Sequence, residues 1–195
     1  MIAKCDHIFP GDPAGGRSPG IGATTMTIRL CKILVILSAA LIAMLAAVNN
    51  VLDYAINFAA VQHVMAMDTL AIDNNSTWRA VELPLLHHVA FVLIILTEAA
   101  IGVLGFWGAA ELWRVRADAQ EFERGKAKAL WALTLGVVLW GAGFLGIAAE
   151  WYLMWMSEEW NAQQSAFRFA VIFLLSLIFI SLREADVRAA AGTGT

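Results

Sequence analysis

The sequence predicts an all-α protein, a four-transmembrane-helix bundle with both termini cytoplasmic. Three observations carry this expectation. The chain has 195 residues, of which 60% are hydrophobic and only 15% charged, whereas a soluble domain carries about 25% charge; its mean hydropathy is +0.69. The charges bunch between four long apolar runs, as in a multi-spanning chain rather than a soluble one with a large core. Finally, Lys and Arg fall almost entirely on one side of those runs.

The runs cover about 28–49, 85–112, 130–150 and 165–182. A hydrocarbon layer of ~30 Å needs about 20 helical residues, so each run can cross. The second is long enough to tilt or project. The third carries no charge from Leu130 to Ala149. The fourth is short, because only Phe169 to Leu182 separates Arg168 from Arg183. Its helix must begin before Arg168, which then snorkels or finds a partner. These runs make one membrane domain, 26–186. Residues 1–25 are rich in Gly and Pro with no apolar signal core, and read as a disordered tail or a start placed too early, since Met26 opens MTIRLCKIL. Residues 187–195 read as a flexible tail.

Orientation follows from the basic residues. Arg29 and Lys32 stand at the start of the first run, and Lys4 and Arg17 lie further upstream. Arg114, Arg116, Arg124, Lys126 and Lys128 lie between the second and third runs, and Arg183 and Arg188 follow the fourth. The other side has Arg79 and Arg168. Both termini are therefore expected in the cytoplasm. Trp78, Trp151, Trp155 and Trp160 form the expected outer aromatic belt, with Trp113 and Trp131 on the inner one. Cys5 and Cys31 give no disulfide framework, and Cys31 reads as a small core residue. Overlapping glycosylation sequons at Asn74-Asn75-Ser76-Thr77 are short and common and carry no weight. The net charge of −3 gives no basic excess for nucleic acid.

The spacing of polar residues points to inward faces. Positions eleven apart on a helix return to nearly the same side, so His87 and Glu98 share a stripe, with Gly105 seven further on. Glycine there lets another helix approach closely. On the third run, Gly136, Gly143 and Glu150 fall roughly on one face. Ala39, Ala46, Asn50, Asp53 and Asn57 do so on the first run if its helix continues, and Gln164 and Arg168 on the fourth. The expectation is an intramembrane polar cluster in the outer half of the bundle, a possible ligand site: Asp53, Asn57, His87, Glu98, Glu150 and Arg168. Buried charges are costly and should pair or line water. Arg168 with Glu150 is the first choice of pair. Glu98 has no basic partner at its depth and is expected neutral, bonded to a backbone carbonyl or to Thr97. The segment 50–67 lacks Lys and Arg, so packing over the bundle mouth suits it better than lying on a lipid surface.

No catalytic residues emerge. Adjacent histidines cannot both point at one ion from a regular helix, and no HxxxH or ExxH spacing occurs, so no metal site is expected. Haem would need axial histidines on facing helices, and only His63 could partner His87 or His88. A quinone or other amphipathic ligand fits better, although membrane cores produce the same composition without one. Ser38, Ser176 and Ser181 lie in spans without a hydrolase motif. There is no P-loop, and Gly102, Gly105 and Gly108 read as a packing ladder. No cofactor is assigned.

The segments NNVLDYAINFAAVQHVMAMDT, ELPLLHHVAFVLIILTEA and GFLGIAAEWYLMWMSEEWNAQQSAFRF closely resemble a bacterial family of predicted small integral membrane proteins, a domain of unknown function. The resemblance covers about Met26 to Asp186. It implies a four-span protein of the bacterial inner membrane and assigns no activity, cofactor or substrate. Two functional expectations follow. The first is a non-catalytic accessory or assembly subunit of a larger inner-membrane complex, contacting the lipid bilayer and other membrane subunits or itself. The second is a small transporter or amphipathic-ligand (quinone-like) binding protein that uses the polar cluster.

Overall fold

The computed structural model describes residues 19–70 and 76–183, with side chains from residue 24. Residues 1–18 and 184–195, and the sequon asparagines Asn74 and Asn75, lie outside the described residues. The described residues form six α-helices: α1 (Pro19–Leu52), α2 (Tyr54–Ala66), α3 (Pro84–Arg114), α4 (Ala119–Arg124), α5 (Ala127–Val137) and α6 (Gln163–Ser181). A π-helical segment, Val138–Trp151, continues α5. Short 3₁₀ turns stand at Thr77–Arg79 and Met154–Met156. Among the described residues the only β pairing is an isolated bridge between Leu70 and Ser157.

Among the described residues, four stretches are long and apolar enough to cross a membrane: Thr24–Leu52, Pro84–Arg114, Ala119–Trp151 and Gln163–Ser181. They exceed the apolar runs at most ends because a helix costs little to continue into the interface once nucleated. α1 packs along α3, α3 along α5, α5 and the π segment along α6, and α6 returns to α1, closing a four-helix bundle. The shared core is made of small and branched residues, with Ile36, Ala43, Ile101 and Leu112 meeting Leu133 and Phe173.

The glycines of α3 set its closest approaches. A Cβ at Gly105 would lie 2.6 Å from the Cβ of Ala40, and one at Gly108 would lie 2.7 Å from the backbone nitrogen of Ala129. Gly136 on α5 lies flat against the ring of Phe173. Gly143 behaves differently. An added Cβ there would meet nothing nearer than 3.9 Å, so Gly143 is not a helix-packing glycine. The cause is the π winding. Bonding from i to i+5 turns each residue through less than 100°, so residues 143 and 150 drift off the face that α-helical counting gives them.

α1 bends into α2 at Asp53 (φ −107°, ψ 43°). Helical hydrogen bonds still run across the bend, from Asp53 N–H to the Asn49 carbonyl (2.9 Å) and from Asn57 N–H to the Asp53 carbonyl (3.1 Å). α2 then lies over one end of the bundle against α3 and stops at Met67 in a left-handed conformation (φ 52°). That end is called the α2 end below. At the opposite, terminal end, α4 tucks a fully buried Phe122 under the bundle. Cys31 is exposed on the lipid-facing side of α1, not in the core. Trp78, Trp151, Trp155, Trp113 and Trp131 are all exposed at the two ends, whereas Trp140 is buried against Phe169 and Phe173.

Candidate functional site

α3 presents one buried stripe, with His87, Phe91, Glu98, Gly102 and Gly105 all on it. The 3.6-residue period puts them there. Glu98 is 4% exposed. The Asn50 side-chain amide donates to its Oε2 at 2.7 Å, across the α1–α3 seam. This corrects the expected partner: the Thr97 hydroxyl turns back to the Leu93 carbonyl (2.7 Å) and does not reach Glu98. His87 is also buried, and its Nε2 donates to the Val81 carbonyl at 2.6 Å. Val81 N–H in turn donates to the Met65 carbonyl (2.8 Å), so His87 clamps the extended strap before α3 to the end of α2. Nδ1 of His87 is buried with no hydrogen-bond partner.

The other four residues of the expected cluster do not join them. Asp53 is exposed at the bend, because the chain turns away there instead of continuing α1. Asn57, half-buried, bonds back to the Asn49 carbonyl (3.4 Å). Glu150 and Arg168 are both exposed, and among the described residues no ion pair joins them. The π winding carries Glu150 off the bundle-facing side, while Arg168, early in α6, keeps its guanidinium outward on a long stem. The expected six-residue cluster is therefore a set of separate contacts at different depths.

Aromatic contacts secure α2. His88 stacks on Phe58, ring centroids 4.1 Å apart, and its Nδ1 meets the Tyr54 hydroxyl at 2.8 Å. His63 stacks on Trp160 at 5.0 Å and contacts both oxygens of Asp68 at 2.9 and 3.0 Å. Thr69 and Ser157 share a hydroxyl hydrogen bond of 3.0 Å beside the Leu70–Ser157 bridge.

Basic side chains do the corresponding work at the terminal end. Arg29 donates to the Arg116 carbonyl (2.6 Å) and lies over the Phe122 ring (5.7 Å). Lys32, 1% exposed, and Lys126, 3% exposed, both donate to the Leu182 carbonyl at the end of α6. Lys126 also holds both oxygens of Glu123 at 2.7 Å. Cations at a helix C-terminus satisfy its orphan carbonyls and its dipole. Among the described residues no group of three or more His, Cys, Asp or Glu is placed to hold a metal ion.

One feature went unread in the sequence. Between α2, the first half of α3 and the π segment lies a cleft of ≈ 340 Å³ with almost wholly apolar walls. Its signal was present as small residues at facing positions, Ala60, Ala90, Gly143 and Ala148. Gly141, Gly143 and Gly146 also spell G-x-G-x-x-G. That spacing marks a dinucleotide loop only between a strand and a helix. Here it lies inside a membrane-length helix.

Comparison with known proteins agrees with the architecture. The family model for a predicted small integral membrane protein (DUF2165) matches residues 28–183, while the comparisons with curated proteins and with solved structures returned no match. With four membrane-length apolar helices inside the matched region, the chain belongs to the DUF2165 family of small integral membrane proteins and passes through the bilayer several times.

Proposed function

We propose that this protein is a non-catalytic accessory or assembly subunit of a larger complex in a bacterial inner membrane. The observation that carries this reading is the Asn50–Glu98 hydrogen bond. An intramembrane carboxylate is a functional suspect by default. Here its polar partner comes from the neighbouring helix, within the seam where Gly105 meets Ala40. That is interhelical glue, and His87 plays a similar part for the strap before α3. With these groups engaged in holding the bundle, a scaffold or docking role is favoured over proton handling. The basic residues support cytoplasmic termini: Arg29, Lys32, Arg116, Lys126 and Lys128 gather at the terminal end, with Arg79 and Arg168 toward the other.

Purification from native expression through a C-terminal tag in a mild detergent tests the proposal. A stoichiometric set of larger membrane subunits, retained also by Glu98→Gln, is the expected result. A protein that runs alone would remove the subunit reading; a complex lost on Glu98→Gln while the protein still folds would remove the reading of Glu98 as glue. The alternative, transport or quinone-like ligand binding through the polar cluster, is weakened by the separation of Asp53, Glu150 and Arg168 from Glu98. A ligand reading now attaches to the apolar cleft instead.

A further inference from the structure

We infer that the cleft between α2, α3 and the π segment binds the acyl tail of a membrane phospholipid, taken laterally from the leaflet at the α2 end. The walls come first. Val64 of α2 and Trp160, from the loop between the π segment and α6, line the cleft at the α2 end, and Leu139 and Phe144 line it on the π side. The bundle core is tight where α3 meets α1 and α5, but the π winding sets the second half of span three apart from α3. Gly143 deepens the resulting gap, with no atom within 3.9 Å of where its Cβ would stand.

The opening says what comes in. Its rim residues Leu93 and Ile147 are apolar, and each is more than half exposed (58% and 57%). The mouth is therefore continuous with the lipid-contacting surface of the spans rather than with water. Leu93 stands nine residues into α3 from Pro84, which is ~14 Å along the axis. That is about half of a ~30 Å hydrocarbon layer, the depth of one leaflet's tails. Water is excluded as occupant, because a buried water needs two to four polar partners and these walls offer almost none. A partner helix is excluded by size. At ~10 Å diameter a whole helix does not fit within a cleft of ≈ 340 Å³, which is at the low end of the ~300–1,000 Å³ of small-molecule sites. A single hydrocarbon chain meets all three conditions. Its polar end would lie toward Trp160, where the stacked His63 and its Asp68 partner stand.

The test uses the purified full-length chain, so it does not depend on any partner complex. It is reconstituted into vesicles of phosphatidylethanolamine and phosphatidylglycerol doped with a phosphatidylcholine bearing a diazirine on one acyl tail. After irradiation, labelled peptides are mapped. Labelling is expected to concentrate on segments 90–94 and 139–148, several-fold above the lipid-facing Ile172 and Leu175 of α6, which serve as the internal standard. Gly143→Leu fills the gap without touching the core and should reduce cleft labelling several-fold while leaving α6 unchanged. Leu93→Trp, at the exposed mouth, should do the same by obstruction and covers the case in which the first variant folds poorly. Even labelling over all lipid-facing helices, or cleft labelling unaffected by either variant, overturns the assignment. Displacement of the label by an equimolar long-chain isoprenoid quinone also overturns it, in favour of an isoprenoid tail; insensitivity to the quinone supports the acyl chain.

Discussion

At the terminal end of the bundle, the described helices approach closely and buried basic side chains cap the end of α6. Lys32 and Lys126 converge on the Leu182 carbonyl just past α6, and Phe122 is fully buried. At the α2 end α3 and the π segment separate, and the gap between them is left apolar and open at the side. The two ends differ through one local choice of winding. Up to Val137 the third span is α-helical, and its glycine fits against Phe173. From Val138 it is π-helical, and its next glycine faces space. A glycine in a membrane span can thus serve two opposite purposes, close approach or open volume, and only its neighbours decide which.

The sharpest way to break this contrast is to fill both glycines. Gly136→Leu would drive a side chain into the fully buried Phe173 ring. Overpacking of this kind costs about 3 kcal/mol or more at an unyielding site, so loss of folded, monodisperse protein in detergent is expected. Gly143→Leu should be neutral or raise stability by up to ~1 kcal/mol, because glycine is a poor helix former and the space is free. Thermal unfolding of the two variants side by side decides the matter. Equal losses would mean that the α2 end is packed as tightly as the other.

The charges repeat the contrast at smaller amplitude. Lys126→Ala removes a buried ammonium from Glu123 and from the Leu182 carbonyl. Hydrogen bonds to charged groups are worth about 1.5–3 kcal/mol, and a loss of about 2–3 kcal/mol is expected. Arg168→Ala, at the α2 end, should stay within about 0.5 kcal/mol, since the side chain is exposed and pairs with no carboxylate among the described residues. A large loss at Arg168 would restore the pair with Glu150 that the sequence suggested. Between the two ends lies Asn50→Ala, which strands the Glu98 carboxyl inside the seam. The cost there is about 1–2 kcal/mol. Glu98→Gln keeps an acceptor for the Asn50 amide and should change stability by no more than about 0.5 kcal/mol. Similar losses for the two would show that the bond needs the carboxyl itself.

The sequence made the spans and the α3 stripe legible, because His87, Glu98 and Gly105 follow a regular 3.6-residue period and α3 is a regular helix. It also raised packing over the bundle mouth for the segment after Asn50, from its lack of basic residues. Legibility stopped where the period changed. Gly143 and Glu150 were placed by counting 100° per residue through a segment that is π-wound. Asp53 and Asn57 were counted through a bend that holds its hydrogen bonds and so leaves no breaker residue to read. Asn50 was on the right face, but its partner depends on the relative depth of α1 and α3, which no single-helix pattern contains. The cleft was hidden for the same reason: it is a property of three elements, each of them ordinary alone.

The smallest effect sits at the terminal end, outside the spans, and tests how that end is held. Asp118 caps α4, accepting the backbone N–H groups of Glu121 (2.9 Å) and Gln120 (2.8 Å). The Glu121 hydrogen bond is the main reason its carboxyl is held below the ordinary aspartate value, with the Gln120 bond and the positive charges of Arg29 and Arg124 adding to it. A depressed carboxyl contributes stability that is complete above the unfolded value, near ~3.9, and that fades as pH falls through the lower folded value. Asp118→Asn keeps an oxygen to accept those N–H groups but cannot titrate. The wild-type chain should therefore unfold at a slightly higher temperature than Asp118→Asn at about pH 6, and the difference should close toward about pH 3. Taking the difference cancels the other acids, which titrate in both chains. A gap that stays constant across this range would mean that the charge of Asp118 contributes nothing, and no gap at either pH would mean that α4 is held by Phe122 beneath it and not by its cap.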